Sequence, residues 1–198
     1  MSKSPYSGLS PDKWLGKTKE LIKNHPLSTK DLQEVVLNAW QDIMGSGIGA
    51  KKFKIGTNLF PKPQIMAFFL HALIPLEFAS KYPGKWRGEE SASEKDLVFI
   101  PDSRFSIEIK ASSHASQIFG NRSYAQKGES AKKSKSGYYL AINFEKFEGK
   151  KKKPGIRKIR FGWLDHEDWM GQTAATGQQA RLSPEVEKGK LILLFQSE

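Results

Sequence analysis

Apolar residues recur along the first third of the chain with the period of an α-helix. Leu32, Val35, Val36, Ala39, Trp40, Ile43 and Met44 stand at i, i+3, i+4, i+7, i+8, i+11 and i+12, on one helix face. Ser28 with Asp31 makes a capping-box pattern ahead of this run, and Gly45 and Gly47 end it. A shorter helix is expected over Pro11–Lys23. Another starts at Pro63, whose fixed φ suits a first turn, and continues through Ile65, Met66, Phe68, Phe69 and Ala72. It is apolar nearly all round and reads as buried, with a kink or restart at Pro75. Beyond Tyr82-Pro83-Gly84 the pattern changes to that of strands. Residues 96–100 (DLVFI) and 105–111 (FSIEIKA) flank Pro101-Asp102-Ser103-Arg104, a turn by composition. Gly137–Phe144, Ile156–Leu164 and residues 190–195 read as further strands. Residues 112–136 are polar and only partly periodic, with room for a helix. The fold class expected is α/β, a mixed central β-sheet flanked by helices. Residues 1–62 form an N-terminal helical region and 63–198 the core, in one compact domain.

A length of 198 residues fits that single domain. The absence of Cys excludes disulfide scaffolds, thiolate zinc sites and thiol catalysis. The longest apolar run, residues 65–76, is interrupted by His71 and Pro75 and falls short of the roughly 20 residues of a spanning helix. No membrane partner is expected. Met1-Ser2-Lys3-Ser4-Pro5 leads into no apolar stretch, so no signal peptide is read and a cytoplasmic location is expected. The net charge of +11 points to a polyanionic partner. It is uneven: from Lys127 to Arg160, twelve basic residues face three acidic ones, a net +9. Lys150 to Lys153, before Pro154-Gly155, read alone as a solvated hairpin tip.

The two strands around Pro101 carry the candidate chemistry. A hairpin centred near Ser103 sets Asp96 opposite Lys110 and Glu108 opposite Val98 on one face, since side chains alternate with period two. Leu97, Phe99, Ile107 and Ile109 then point to the core. Two adjacent carboxylates repel unless a cation relieves them, and oxygen donors suit Mg2+. A lysine beside them can orient a water or stabilise added negative charge. The plain alternative is an ion pair of Lys110 with Asp96 or Glu108. Asp102 falls in the turn, at the wrong end of the hairpin to join them.

Asp96, eleven intervening residues, then Glu108-Ile109-Lys110 resembles the PD-(D/E)xK nuclease signature, with Lys95 where the proline of the name stands. The stretches Ile107 to His114, Gln117 to Tyr124, Arg160 to His166 and Ala174 to Arg181 are similar to type II restriction endonucleases, in particular the ScaI-like branch. The resemblance covers the chain from about Pro63 onward. It implies a homodimer that cuts both strands of a short palindrome in double-stranded DNA. It also implies Mg2+ on Asp96 and Glu108, and Lys110 assisting the attacking water. The family often adds an acid from the first core helix, and Glu77 is the only acid between Gln64 and Tyr82. Dimer contacts are expected from the N-terminal helices.

Base edges are read by side chains with paired donors and acceptors. Ser112, Ser113, His114, Gln117, Asn121, Arg122 and Gln126 follow the candidate lysine closely, and Lys127 adds a phosphate contact. Gln178 and Arg181 stand in a second polar stretch, with Thr173, Thr176 and Gln179. Asp165, His166, Glu167 and Asp168 form either a helix cap before Trp169 or a second metal site, the cap being preferred. Two other functions compete with a site-specific nuclease. One is a repair or structure-specific nuclease on the same fold; the other is a non-catalytic basic DNA-binding protein.

Overall fold

A computed structural model of the chain describes residues 4–125, 134–149, 153–173 and 177–198. Helix α1 spans Pro11–Lys23 and α2 spans Thr29–Gly45, the latter opened by the Ser28 hydroxyl accepting from the Asp31 amide. The buried residues of α2 are Leu32, Val35, Val36, Ala39, Trp40 and Ile43, the face its periodicity predicts. A short hairpin follows, β1 (Gly47–Ile48) with β2 (Phe53–Lys54), and then α3 (Pro63–Lys81). Helix α3 continues through Pro75 without a restart, and Pro75 is buried close to Gly88. Nor is it buried all round. It packs against α2, yet Phe68 is 64% and Leu76 63% exposed. By length and composition α3 could cross a membrane; here one face belongs to the core.

The strands β3 (Trp86–Gly88), β4 (Leu97–Phe99), β5 (Ile107–Ser112), β7 (Gly137–Phe144), β8 (Ile156–Leu164) and β11 (Leu191–Gln196) make a mixed sheet. Its order is β11-β8-β7-β5-β4-β3. Only β5 and β7 run parallel; the other neighbours are antiparallel. Leu97, Ile107, Ile109, Tyr138, Leu140, Ile142, Ile159 and Phe161 join Ile22 of α1, α2 and α3 in one core. The first 62 residues therefore share their core with the sheet.

The opposite face carries Glu108, Tyr139 and Ala141, and a second, smaller sheet covers it. Strand β6 (Phe119–Asn121), β9 (Trp169–Gly171) and β10 (Gln179–Leu182) pair in the order β6-β10-β9. Ile118, Tyr124, Trp169, Ala180 and Leu182 pack beneath it against Tyr139, Ala141 and Leu164. Helix α4 (Pro184–Lys190) leads into β11. Here the backbones come close: a Cβ on Gly162 would lie 1.9 Å from the Lys190 carbonyl oxygen, so only glycine fits.

Candidate active site

Strands β4 and β5 form the expected hairpin with a different register. Leu97 pairs with Ile107, which sets Asp96 opposite Glu108, where Lys110 was expected. The cause is the connection. Residues Ser103–Phe105 form a 3-10 turn, with the Asp102 carboxylate accepting from the Arg104 amide, and the centre of the hairpin moves by one residue. Partners therefore shift by two, and a shift of two keeps every side chain on its face. Asp102 stays at the turn, paired with Arg104.

Glu108 is 2% exposed. Its Oε1 accepts from Lys110 Nζ at 2.8 Å and from the Tyr124 hydroxyl at 2.5 Å. Asp96 Oδ2 accepts from the Ile109 amide at 2.7 Å, which ties β4 to β5 beside Glu108. Other groups surround this pair. His71 Nδ1 of α3 lies 3.6 Å from Asp96 Oδ2. Lys95, at the position of the motif's proline, brings Nζ to 3.9 Å from Glu108 Oε2 and 5.1 Å from the Tyr139 ring centre. Lys135 Nζ stands 4.2 Å over the Tyr124 ring and Lys110 Nζ 4.6 Å from its centre. Burial, then the nearby Glu108 charge, push the Tyr124 phenol far above its usual pKa, so it stays a donor. The same causes raise Tyr139.

Glu77 does not share the position of His71. Six residues separate them, about 9 Å along the helix and about 120° around it. His71 is the α3 side chain beside Asp96, in place of the expected acid. It was legible only as an interruption of an apolar run.

The residues expected to read DNA divide into two groups. Ser112, His114 and Gln117 belong to a tightly bonded turn after β5. The Ser112 hydroxyl accepts from the His114 amide, and His114 Nδ1 accepts from the amides of Ser116 and Gln117. Buried Asn143 donates to the carbonyls of His114 and Gln117 at 2.9 and 3.0 Å. Buried Arg160 donates to the Ser116 carbonyl and to Asn143 Oδ1, and pairs with Glu187 at 3.1 Å. Neither Asn143 nor Arg160 stood out as a positioning residue, because each sits inside an ordinary strand pattern. Ser113 is half-buried beside this turn.

The second group lies on the small sheet. Asn121 faces Gln179, and Arg181 faces Phe119 and Met170, so Asn121, Gln179 and Arg181 share one outer face. All three are exposed. Two polar stretches remote in sequence thus meet on one surface, which their composition alone did not reveal. Gln178 is exposed at its edge; its carbonyl accepts from the Arg122 amide, and Arg122 Nη1 donates to the Gly177 carbonyl at 3.1 Å. Gln126, Lys127 and Thr176 lie outside the described residues, as do Lys132, Lys133 and Lys150 to Lys152.

The Asp165 to Asp168 cluster is a cap. The Asp165 amide donates to Asp168 Oδ2 at 2.7 Å around a 3-10 turn, His166–Asp168. Among the described residues no group of three or more His, Asp or Glu gathers as a metal site.

Comparison with known proteins identifies the family. The model of the ScaI restriction endonuclease family matches residues 4–195. The type II restriction enzyme ScaI of Streptomyces caespitosus is 47% identical over 195 residues, which cover 98% of this chain and 85% of that enzyme. The chain belongs to the ScaI restriction endonuclease family.

Proposed function

We propose that Asp96, Glu108 and Lys110 are the residues with which this restriction endonuclease hydrolyses double-stranded DNA, and that Mg2+ is its cofactor. The observation that carries the reading is the β4–β5 register, with two carboxylates opposite each other and Lys110 bonded to one of them. The donor set fits a hard cation. It offers two carboxylates and no soft ligand, leaving positions for water, as Mg2+ prefers. When bound, the ion neutralises charge on the phosphate and lowers the pKa of a water. Asp96 and Glu108 hold it. Tyr124 and the Ile109 amide fix the two carboxylates by donating to them. Lys110 orients the attacking water and, with Lys95, offsets the negative charge gained in the transition state. Asn121, Gln178 and Arg181 contact bases, with Gln179 beside them.

Cutting both strands requires two such centres, and a second copy of the chain supplies the other. The exposed stripe Ile65, Phe68, Ala72 and Leu76 of α3 is an apolar contact for that copy. Sedimentation of Phe68→Asp, expected as a monomer, checks this. The whole reading is checked by digesting a long DNA of known sequence with Mg2+ and mapping the ends. Wild type cuts at one short sequence. Undiminished cutting by Asp96→Asn would overturn the assignment.

A further inference from the structure

The hairpin β1–β2 is basic, exposed and strained. Residues 46–62 hold Lys51, Lys52, Lys54 and Lys62 and no acidic residue. Ile48 pairs with Phe53 across the strands, and both face solvent, 42% and 45% exposed. Lys52 has φ +53°, the one positive φ of a non-glycine residue among those described. Asn or Gly takes that conformation more easily, and a side chain held there against preference is a reason to look for function. Lys54 alone is engaged inward, donating to the Gly45 carbonyl at the end of α2. The segment also leans on the β7–β8 connection. Phe60 meets the Phe147 ring edge-on at 5.6 Å, and a Cβ on Gly56 would lie 3.8 Å from Lys153 Cγ. Both acids of that connection are engaged: Glu145 accepts from the Gly155 amide at 3.1 Å, and Glu148 is 3.8 Å from Lys146.

We propose that this hairpin is a second contact to duplex DNA, gripping the sugar-phosphate backbone outside the recognised bases. The inference rests on the reading of the chain as a DNA-cutting enzyme. Lys51 and Lys52 neutralise phosphates at the tip, and Phe53 with Ile48 packs against deoxyribose. Charge complementarity selects this occupant over an apolar one: the pair is ringed by cations, and the substrate is a polyanion. Position agrees. Lys110 pairs with Ala141, and β7 runs three residues further to Phe144, about 10 Å, before the connection on which Gly56 and Phe60, just after the hairpin, lean. One turn of duplex, about 34 Å, spans that separation.

The test measures binding of a mixed-sequence duplex in EDTA over a range of salt, for wild type, Lys51→Ala/Lys52→Ala and Phe53→Ala. The double variant should bind roughly ten-fold more weakly, with the salt slope shallower by about 2. The loss should be equal for a duplex carrying the mapped cleavage site, because phosphate contacts carry no sequence. Phe53→Ala should weaken binding without changing the slope. Lys52→Gly controls for folding: it should melt no lower than wild type, since glycine relieves the positive φ, yet lose affinity. Unchanged affinity and slope in the double variant, while wild type binds, would overturn the hairpin alone. A loss confined to the cleavage-site duplex would overturn the backbone assignment. Wild type that neither binds nor cuts any duplex would overturn the underlying reading.

Discussion

Lys190 and Glu108 are nearly equally hidden from solvent, at 3% and 2% exposed, yet their surroundings are opposite. Lys190 is closed in by partners. It donates to both oxygens of Asp168, at 2.7 and 2.9 Å, and to Asp165 at 3.1 Å, and sits over the rings of Tyr6 and Trp14. Ser4 donates to the same Asp165. One ammonium thereby joins the N-terminal segment, a capped turn and the last helix. Around Glu108 the balance is reversed: two carboxylates meet Lys95, Lys110 and, beyond Tyr124, Lys135. On the Asp96 side of that group His71 is partly exposed. A closed cluster, one ammonium held between two carboxylates, holds the fold together. A cluster with surplus cations is suited to an incoming phosphate.

Substitutions separate the two. Asp96→Asn or Glu108→Gln should lower the cleavage rate by at least about 1,000-fold, with a melting temperature close to wild type and binding retained. Gel assays and calorimetry on the same samples check both halves. Lys190→Met should do the reverse. It leaves buried Asp168 and half-buried Asp165 without their cation, a loss of about 3–5 kcal/mol in urea unfolding, while the folded fraction still cuts. Equal loss of activity in both variants would erase the distinction.

His25 is a third way of burying an ionisable group. It carries no counter-charge: Nδ1 accepts from the Leu27 amide, Nε2 donates to the Phe105 carbonyl, and the ring packs 4.5 Å from Tyr138. Burial pulls its pKa down to about 4. The unfolded chain binds the proton first, so this contribution is complete above about pH 6.5. About 3 kcal/mol is lost as pH falls from 6.5 to 4. Urea midpoints across that range should fall more steeply for wild type than for His25→Phe. The smallest effect is expected at Tyr124→Phe, which removes one donor to Glu108. A rate loss of about ten-fold is expected at pH 7, with a stability change of about 1 kcal/mol.

The difference between these clusters was only half legible in the sequence. Asp96, Glu108 and Lys110 were visible because strand period alone puts them on one face, and a register error of two leaves the face unchanged. Helices α1 and α2 were visible because their apolar residues repeat every three to four positions. The small sheet was not. Its strands have three or four residues, too few for alternation to register, and β6 finds β10 across nearly sixty residues of chain. Helix α4 was hidden in the same way, its seven residues following a Ser183 cap. His71 was missed because position on a helix, unlike position on a strand, gave no sign of what it would face.

The parallel pairing of β5 with β7 has a consequence for how sequence preference can change. Two strands running the same way cannot be joined by a tight turn; the chain must leave the sheet and travel back. In this protein that return journey carries the turn held by Asn143 and the first strand of the outer sheet. Replacements at its exposed positions, such as Asn121, need not disturb the layers beneath, whereas Tyr124 and Ile118 of the same detour are part of them. With the roles proposed above, such an architecture would let sequence preference drift while hydrolysis is kept.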